Sequence, residues 1–574
     1  MTLYASLPYE NQTVDADSLS LGLPKSDETI SEFSINDFKA LSESPRENFE
    51  LTDACGTLWI HTFDERNAMS DSEIKRQEAE VEVEYSEHSK PVSPHAYVFQ
   101  EPDDGPVHRS PLERRLILKQ DLLLIPLAAL MYFVLYLDRN SFGNGKLLGL
   151  TKELNLDADQ YANCAQLFFV GYLIFMIPGN IILRTFEPYL IFGIAIICFG
   201  MFVCAMSAAR SYGAVLALRI LVGVGQAFVQ GIGVYTSLWY KRRELAFRGA
   251  IYYSTATLSG AFSGLIAYGI GHNLKKSDTG HSPWEWLFII EGVIGIFVGI
   301  LVLILLPSFP DKMKNGRNWL FTKEEIDLAK ERSKTFNTQD SKFELRQVIA
   351  AAKDPKTWAF GFMNAGIGMG LSTIGIFLPS FIADFGYSDL DAQLFSVIPY
   401  AVAFVMLPSV AFISDKLNVK APFIIASLGL ACLGYILLLT VGPTAGKIVA
   451  VCFITTGLYT CIVLTVTWLG INTAGFTKRG TTWGICEIFP QVFSIMGTKL
   501  YKYPPRYIQG HSIVLGFLVF ALLNGLALWW WMAYNNKKKD RILEEYAARG
   551  ERHPHLDRSL EDEFDHHINF RYTL

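Results

Sequence analysis

The chain has 574 residues, of which 50% are apolar, 18% are charged and 13% are aromatic, and its formal net charge is −6. A soluble domain typically carries about 25% charged residues, so this composition excludes a string of ordinary soluble domains, a disordered chain and a disulfide-rich secreted fold. Twelve membrane spans of about 20 residues each would fit within the apolar half of the chain.

The charge divides unevenly along the chain. Residues 1–110 hold 23 Asp and Glu against 8 Lys and Arg, a balance of −15, so the rest of the chain carries +9. A basic membrane body is typical of loops that face the cytoplasm, and an acidic, Ser-rich head is typical of disorder. We therefore expect 1–115 to be an acidic, mostly disordered cytoplasmic tail with no signal peptide, and we expect no nucleic-acid partner.

Apolar runs after the tail fall into two groups of six, separated by a long polar stretch. The predicted fold is an all-α polytopic membrane protein with twelve transmembrane helices in two pseudo-symmetric six-helix bundles. The first bundle occupies 116–306, a cytoplasmic linker occupies 307–356, the second bundle occupies 357–533, and a cytoplasmic tail follows at 534–574. The expected spans are 121–137, 161–183, 189–208, 212–239, 249–271 and 286–306, then 358–381, 392–413, 423–441, 448–469, 482–496 and 512–532.

Basic residues in the short loops predict the orientation in the membrane. They follow the even-numbered spans, as at Lys241 to Arg243, Lys416, Lys478 and Arg541. Because Lys and Arg concentrate in cytoplasmic loops, both termini and the linker are expected in the cytoplasm. Lys499, Lys502 and Arg506 conflict with this orientation, which places them outside.

The linker contains signals for two short helices. Thr322 followed by Glu325 forms a capping box, which predicts a helix over 324–334. A second helix is expected over 343–352, ending before Asp354 and Pro355 because the residue before proline leaves the α region.

The residue types that enzymes need are missing from the apolar spans. All eleven histidines fall outside the spans, and seven of the eight cysteines lie in or beside them without metal or disulfide spacing. No phosphate-binding loop with a Walker lysine is present. We therefore expect no enzyme activity, no catalytic residue, no metal, no cofactor and no ATP-driven transport.

Ionisable residues are rare within the spans, and each one is costly there. They are Arg219 in span 4, Glu291 in span 6 and Glu487 in span 11, with Asp138 and Arg139 at the outer end of span 1. One interpretation is an interhelical clamp or a side chain that reaches the membrane surface. The other is charge matching to a substrate or proton transfer.

Helical spacing groups some polar side chains on common faces. Arg219, Gly223, Gln226 and Gln230 form one stripe on span 4, where a guanidinium could bind a carboxylate with both of its forked donors. A similar stripe on span 11 contains Glu487, Gln491 and Ser494. Cavity lining or plain helix packing would each explain a further set, namely Asn364, Tyr252, Tyr253, Tyr400 and Trp468.

Several short motifs between 112 and the C-terminus resemble one family. They are Leu137-Asp138-Arg139-Asn140, Pro178-Gly179-Asn180, Arg219-x-x-x-Gly223, Trp239-Tyr240-Lys241-Arg242-Arg243-Glu244, Trp286-Leu287-Phe288-Ile289-Ile290-Glu291-Gly292 and Pro504-x-Arg506-Tyr507. Together they resemble the anion:cation symporter branch of the major facilitator superfamily, within it the fungal allantoate and nicotinate permease-like group.

The resemblance implies alternating access and uptake of a small organic anion with protons across the plasma membrane, by a monomer in the lipid bilayer. It assigns proton coupling and anion binding to Asp138 and Arg139, and Arg219 matches the family's span 4 arginine. Relatives often place a proton-coupling glutamate where this chain has Gln226, which cannot titrate. Asp138, Glu291 or Glu487 is therefore expected to carry the proton.

The expected substrate contacts are Arg139, Arg219, Gln226, Gln230, Asn364, Tyr400 and Gln491. Two other functions remain open from the sequence. The same fold could export an anionic secondary metabolite, or it could serve as a nutrient receptor on a transporter scaffold.

Overall fold

The computed structural model describes residues 110–574, except for 241, 275, 311, 314–319, 335–344, 502–505, 552 and 557–562. The described residues form helices and connecting segments, with no β-strand among them, and belong to one compact unit. Most of the expected acidic tail, together with Lys241 and Lys502 from the orientation argument, lies outside the described residues.

Twelve helices of 18 residues or more are present in the described part of the chain, and we number them α1–α12. Their bounds are Pro111–Leu147, Ala158–Thr185, Pro188–Met206, Tyr212–Val229, Arg242–Asn273, Pro283–Leu305, Pro355–Asp384, Val397–Leu417, Ala421–Thr440, Thr444–Ile471, Phe476–Thr498 and Ile508–Ala548. Each corresponds to one expected span, so the predicted fold class is confirmed.

Ten helical segments of the described residues are long and apolar enough to cross a membrane. The two long helices outside that set are α5 and α11, in which Ser, Thr, Gly and charged residues interrupt the apolar runs. Their polar side chains are accommodated because both helices pack against other long helices. The composition and length of these helices indicate a multi-pass membrane protein.

The first helix differs from its expected span in a way that affects the site. Hydropathy placed span 1 at 121–137, whereas α1 runs from Pro111 to Leu147. Asp138 and Arg139 therefore lie well inside the helix rather than at its outer end. The apolar run stops at these charges, but the helix continues because Asn140, Ser141 and Asn144 are buried by neighbouring helices.

The helices pack as two halves, α1–α6 and α7–α12, in a repeated arrangement. In the first half α3 packs on α6 and α2 on α4, and in the second half α9 packs on α12 and α8 on α10. The two halves meet mainly through three pairs of long helices, which are α1 with α7, α2 with α11, and α5 with α8.

The halves approach closely towards one end, which we call the far end, where α1 ends and α2 begins. A Cβ atom added to Gly143 on α1 would lie 2.1 Å from the carbonyl oxygen of Ile376 on α7. A Cβ atom added to Gly264 on α5 would lie 2.6 Å from the carbonyl oxygen of Gln393, in the short helix Asp389–Phe395. Glycine is therefore needed at both positions for the halves to close here.

Two linker helices lie at the opposite end, which we call the linker end. The helix Lys323–Lys334 begins with the expected capping box, and its Glu325 pairs with Lys119 of α1 at 2.7 Å. The helix Leu345–Lys353 is anchored through Gln347, which accepts a hydrogen bond of 3.0 Å from the backbone N–H of Lys478. Each linker helix is therefore fastened to a different half.

The segment that follows α12 folds back onto the second half at the linker end, which the sequence did not indicate. The Lys539 ammonium donates to the carbonyl oxygens of Asp565, His567 and Phe570. The carbonyl oxygen of Thr573 accepts hydrogen bonds from Trp468 at 2.8 Å and from Asn472 at 3.0 Å.

Candidate functional site

A central cavity lies where the two halves face each other. It is lined by α1, α2, α4 and α5 from the first half and by α7, α10 and α11 from the second. Its empty volume is about 750 Å³, counting the part that is open to solvent. Clefts that combine aromatic walls with a few polar and charged groups bind small organic molecules.

Arg139 supplies a positive charge to the cavity wall. Its guanidinium carbon lies 5.0 Å from the ring of Tyr136, 5.2 Å from that of Phe168 and 5.0 Å from that of Tyr172. Its Nε donates a hydrogen bond of 3.2 Å to the amide oxygen of Gln226. Within the described residues Arg139 has no ion pair with a carboxylate, so its charge can act on an anion in the cavity.

Arg219 also borders the cavity, but its charge is already balanced. Its Nη1 lies 3.4 Å from Oδ2 of Asp138, and both side chains are buried. The guanidinium also stacks on Phe142 at 4.4 Å and on Phe168 at 4.9 Å. The two arginines therefore differ, because Arg219 is held by a carboxylate and aromatic rings whereas Arg139 is held by rings and one amide.

The side-chain amide of Gln226 connects Asp138 with Arg139. Its Nε2 donates a hydrogen bond of 3.0 Å to Oδ2 of Asp138, and its oxygen accepts from Arg139. Gln226 itself is buried. A change in the hydrogen bonding of Asp138 can therefore reach Arg139 through a single side chain.

The wall contributed by the second half carries a carboxylate. Glu487 and Gln491 on α11 line the cavity and are nearly buried, and Glu487 is close enough to Arg139 to interact with it electrostatically. A close crossing holds this part of α11 against α7, because a Cβ atom on Gly368 would lie 2.3 Å from Cβ of Pro490. The cavity therefore has a basic side on α1 and an acidic side on α11.

Gln230, at the end of the α4 stripe, also reaches the cavity. α4 ends at Val229 and a short helix resumes at Ile232, so Gln230 occupies a break in the helical segment. Its amide oxygen accepts a hydrogen bond of 2.6 Å from the hydroxyl of Tyr172. The contact fixes one of the three rings that surround Arg139.

Five expected site residues lie outside the cavity wall: Asp138 and Gln226, whose contacts are described above, and three others. Asn364 is buried in α7, and its amide oxygen has no hydrogen-bond partner among the described residues. Tyr400 on α8 is buried at the contact with α1, where its hydroxyl donates to Asn140 at 3.3 Å. Glu291 on α6 is buried within the first half, against Ser141. Hydropathy and helical spacing could not separate these buried positions from positions that face the cavity.

Sequence reasoning missed most of the aromatic wall. Tyr136, Phe168, Tyr172 and Tyr459 line the cavity, together with Tyr253, for which the sequence left cavity lining and helix packing open. A usable signal was present, because Tyr136 lies about one helical turn before Arg139 and Phe168 lies one turn before Tyr172. Tyr252 and Trp468 do not line the cavity: Tyr252 packs on Tyr132, and Trp468 holds the segment that follows α12.

One group of potential metal ligands occurs at the linker end, formed by Asp354, Asp565 and His566. Lys356 lies 2.7 Å from Asp565, and Lys478 lies 3.0 Å from Asp354. Burial alone would raise the pKa of Asp565, but the charges of Lys356 and Lys478 outweigh burial and hold this pKa well below its ordinary value. The lysines therefore neutralise the two carboxylates, and the geometry gives no support to a metal site.

Comparison with known proteins yields consistent similarities. Residues 128–498 match the family model described as Major Facilitator Superfamily. The chain is 32% identical over 463 residues to the high-affinity nicotinic acid transporter of Saccharomyces cerevisiae, covering 79% of this chain and 85% of that protein. It is 31% identical to the MFS transporter prlL of Fungal sp. (strain NRRL 50135), covering 78% of this chain and 90% of that protein.

A solved structure shows the same fold at low identity. The proton:xylose symporter XylE superposes with a TM-score of 0.57 at 15% identity, covering 71% of this chain and 94% of that one. The two-half helical architecture, the central cavity and the family match agree. The chain therefore belongs to the Major Facilitator Superfamily and is a multi-pass membrane transporter.

Proposed function

We propose that this chain is a proton-coupled importer of a small organic anion, such as nicotinate or allantoate. It works by alternating access, as a monomer in the plasma membrane with both termini in the cytoplasm. The observation that carries this proposal is Arg139, whose guanidinium lines the cavity and has no carboxylate partner among the described residues.

The substrate is a carboxylate with a flat ring or another planar group. A guanidinium binds a carboxylate through two parallel hydrogen bonds, and aromatic walls favour planar ligands. Arg139 offers the first feature, and the rings of Tyr136, Phe168 and Tyr172 offer the second. The relative that is named a nicotinic acid transporter supports this choice, because nicotinate combines a carboxylate with an aromatic ring.

The transported proton binds Asp138, with Glu487 as the alternative carrier. Protonation of Asp138 removes the charge that pairs with Arg219 and weakens the hydrogen bond that it accepts from Gln226. Gln226 also contacts Arg139, so the protonation state of Asp138 affects the group that holds the anion. This link gives proton and anion a shared set of contacts, which coupling requires.

Uptake of radiolabelled nicotinate, allantoate and pantothenate tests this proposal in cells that express the chain. Uptake is measured at two external pH values, with Arg139→Ala as the binding-defective variant and empty-vector cells as the control. We expect accumulation of at least one acid, faster at the lower pH and abolished by the substitution.

Other results would favour the remaining functions. Loss of a preloaded acid from the cells, combined with no uptake, would favour export of an anionic metabolite. Binding of an acid to the purified protein without movement in either direction would favour a receptor. Either result would overturn import.

A further inference from the structure

We propose that Glu291 is a second proton-binding site, separate from the central cavity, whose proton is taken up and released as the two halves open and close. The proposal deepens the proton coupling proposed above and rests on it. The site is formed by α1, α5 and α6, and it is connected to the contact between the halves.

Glu291 lies in a polar pocket inside the first half. Its Oε1 contacts the hydroxyl of Ser141 on α1, which lies 2.8 Å from the hydroxyl of Ser263 on α5. Ser263 in turn accepts a hydrogen bond of 2.7 Å from the amide nitrogen of Asn144. All four side chains are at least 96% buried, so no broad water layer solvates the carboxyl group.

The contacts of Glu291 fit a neutral carboxyl group better than an ionised one. Within the described residues no Lys, Arg or His pairs with it, and its Oε2 has no hydrogen-bond partner. A buried carboxylate with one oxygen unsatisfied and no counter-charge is strongly unfavourable. The Ser141 hydroxyl can donate its single proton to the carbonyl oxygen of Leu137 at 2.7 Å, which leaves its lone pairs to accept from a protonated Glu291.

The neighbouring helices supply one other acid and no compensating cation within the described part of the chain. On α1, Asp138 interacts unfavourably with the charge of Glu291. From α3, the thiol of Cys204 packs near the following residue, Gly292. From α5, the group in contact is the hydroxyl of Ser263. The negative charge of Glu291 must therefore be neutralised by a bound cation. Because the oxygens of Glu291 and Ser141 are in direct hydrogen-bond contact, the space between them fits a proton and not a metal ion.

A polar seam follows the contact between α1 and α5, and we define it as Asn140, Ser141, Asn144, Ser259 and Ser263. Ser141 and Asn144 contact Ser263, and Asn140 contacts Ser259. Asn140 donates to Ser259 at 3.5 Å and accepts from Tyr400 of α8 at 3.3 Å, and Asn140 also lines the cavity. The seam lies on α1 and α5, two of the helices through which the halves meet. Separation of α8 from α1 would break the Tyr400 contact and rearrange the seam.

An incomplete hydrogen-bond network supports a second state of the pocket. The amide oxygen of Asn144 is buried and has no partner in the described structure, and the same is true of Oε2 of Glu291. A permanently neutral group needs no ionisable side chain, because glutamine could make the same contacts. Glu291 is an acid whose hydrogen-bond network is incomplete, and it lies beside helices that move when the halves separate. This arrangement is expected of a group whose protonation state changes with conformation.

Infrared spectroscopy of the purified protein tests the site without requiring transport. The C=O stretching band of protonated carboxyl groups is recorded while the pH is raised in lipid, for the unmodified chain, Glu291→Gln and the matched control Glu285→Gln. Glu285 is on the same helix but pairs with Arg210 at 2.8 Å. We expect one titrating carboxyl component to be absent from Glu291→Gln and present in Glu285→Gln.

A second measurement uses whichever labelled acid is transported. The ratio of protons to substrate, measured in proteoliposomes, should be lower by one in Glu291→Gln, while substrate exchange is retained. A Glu291 band that never titrates, or an unchanged ratio in Glu291→Gln, would overturn the second site. Absence of transport of every acid would instead overturn the proposed function, and the infrared result would still decide the state of Glu291.

Discussion

Asp138 forms its ion pair with Arg219 on α4, at 3.4 Å, rather than with its chain neighbour Arg139. Successive residues on a helix point about 100° apart, so the two side chains of this pair diverge. Asp138 turns towards the interior of the first half, whereas Arg139 turns towards the cavity. One dipeptide thereby serves two different sites, which Gln226 connects.

The first prediction concerns the stability of this buried pair. Arg219→Ala should lower the free energy of unfolding by about 3–5 kcal/mol, because the charge of Asp138 would remain buried without its partner. The double variant Asp138→Asn with Arg219→Gln should recover most of that loss. Thermal unfolding in detergent measures both effects, and a double variant no more stable than Arg219→Ala would contradict the ion pair.

The second prediction concerns anion binding by Arg139. Arg139→Lys keeps the charge but loses the forked donors, and the loss of one charge-assisted hydrogen bond should weaken the apparent affinity roughly 10- to 100-fold. Arg139→Ala should abolish saturable uptake. Concentration dependence of uptake measures the effect, with Arg210→Ala as the control, because that arginine is exposed at the far end. Equal loss in the control would contradict a specific role.

Much of the fold was predictable because membrane helices are specified locally, by runs of apolar residues. The same criterion misplaced Asp138 and Arg139, since hydropathy ends a span at a charge whereas α1 continues through it. It did predict spans at 249–271 and 482–496, although α5 and α11 are less apolar than the ten other long helices and both occupy contacts between the halves.

The site was only partly predictable, because its contacts join helices that are distant in sequence. Of the α4 stripe, Arg219 and Gln226 both contact Asp138, whereas Gln230 contacts Tyr172 beyond the end of α4. Nothing in the sequence indicated that Asp138 would form its ion pair with Arg219. The same is true of the aromatic rings from two helices that surround Arg139. The packing of the segment after α12 against the second half could not be predicted either, because it depends on single polar contacts rather than on a repeated sequence pattern.

The third prediction concerns proton coupling. Asp138→Asn should abolish accumulation driven by a pH gradient but leave exchange of labelled for unlabelled substrate, because the variant loses the proton site that Gln226 links to Arg139. Gln226→Glu should make uptake fall more steeply as pH rises, since an ionised carboxylate at this position could not donate to Asp138 as the amide does. Uptake and exchange are measured across a pH series, with Asp121→Asn as a control on the same helix.

Unchanged pH-driven accumulation by Asp138→Asn would show that another acid carries the proton. Glu487→Gln would then be the next variant, since Glu487 is the acid on the opposite wall of the cavity.

The fourth prediction concerns closure at the far end. Gly143→Ala should prevent the closed arrangement, because the new methyl group would lie 2.1 Å from a backbone oxygen that cannot move independently. Transport should be lost while the protein still reaches the membrane. Gly269→Ala is the control and should keep transport, since no other atom lies within 4 Å of the added carbon. Cysteines at Lys152 and Asp389, where Nζ and Oδ2 lie 3.8 Å apart, would report closure with a bifunctional thiol reagent long enough to replace the two side chains. Efficient crosslinking in Gly143→Ala would contradict the prediction.

The last prediction concerns the segment after α12, and its sign follows from Asp565. Lys356 and Lys478 hold the pKa of this buried carboxyl group below its ordinary value of about 3.9. A carboxyl group with a lowered pKa in the folded state stabilises the protein at pH values above its unfolded-state pKa. This stabilisation is lost as the pH falls through the folded-state pKa. Asp565→Asn should therefore destabilise the protein at neutral pH, by about 3 kcal/mol, because Asp354 alone would remain to pair with the two buried lysines, and the difference should shrink below about pH 4. Thermal unfolding at several pH values measures it, with Asp540→Asn as the control, because that carboxylate is 53% exposed in its pair with Arg571. A difference that persists unchanged at acidic pH would mean that Asp565 stabilises the segment by packing rather than by charge.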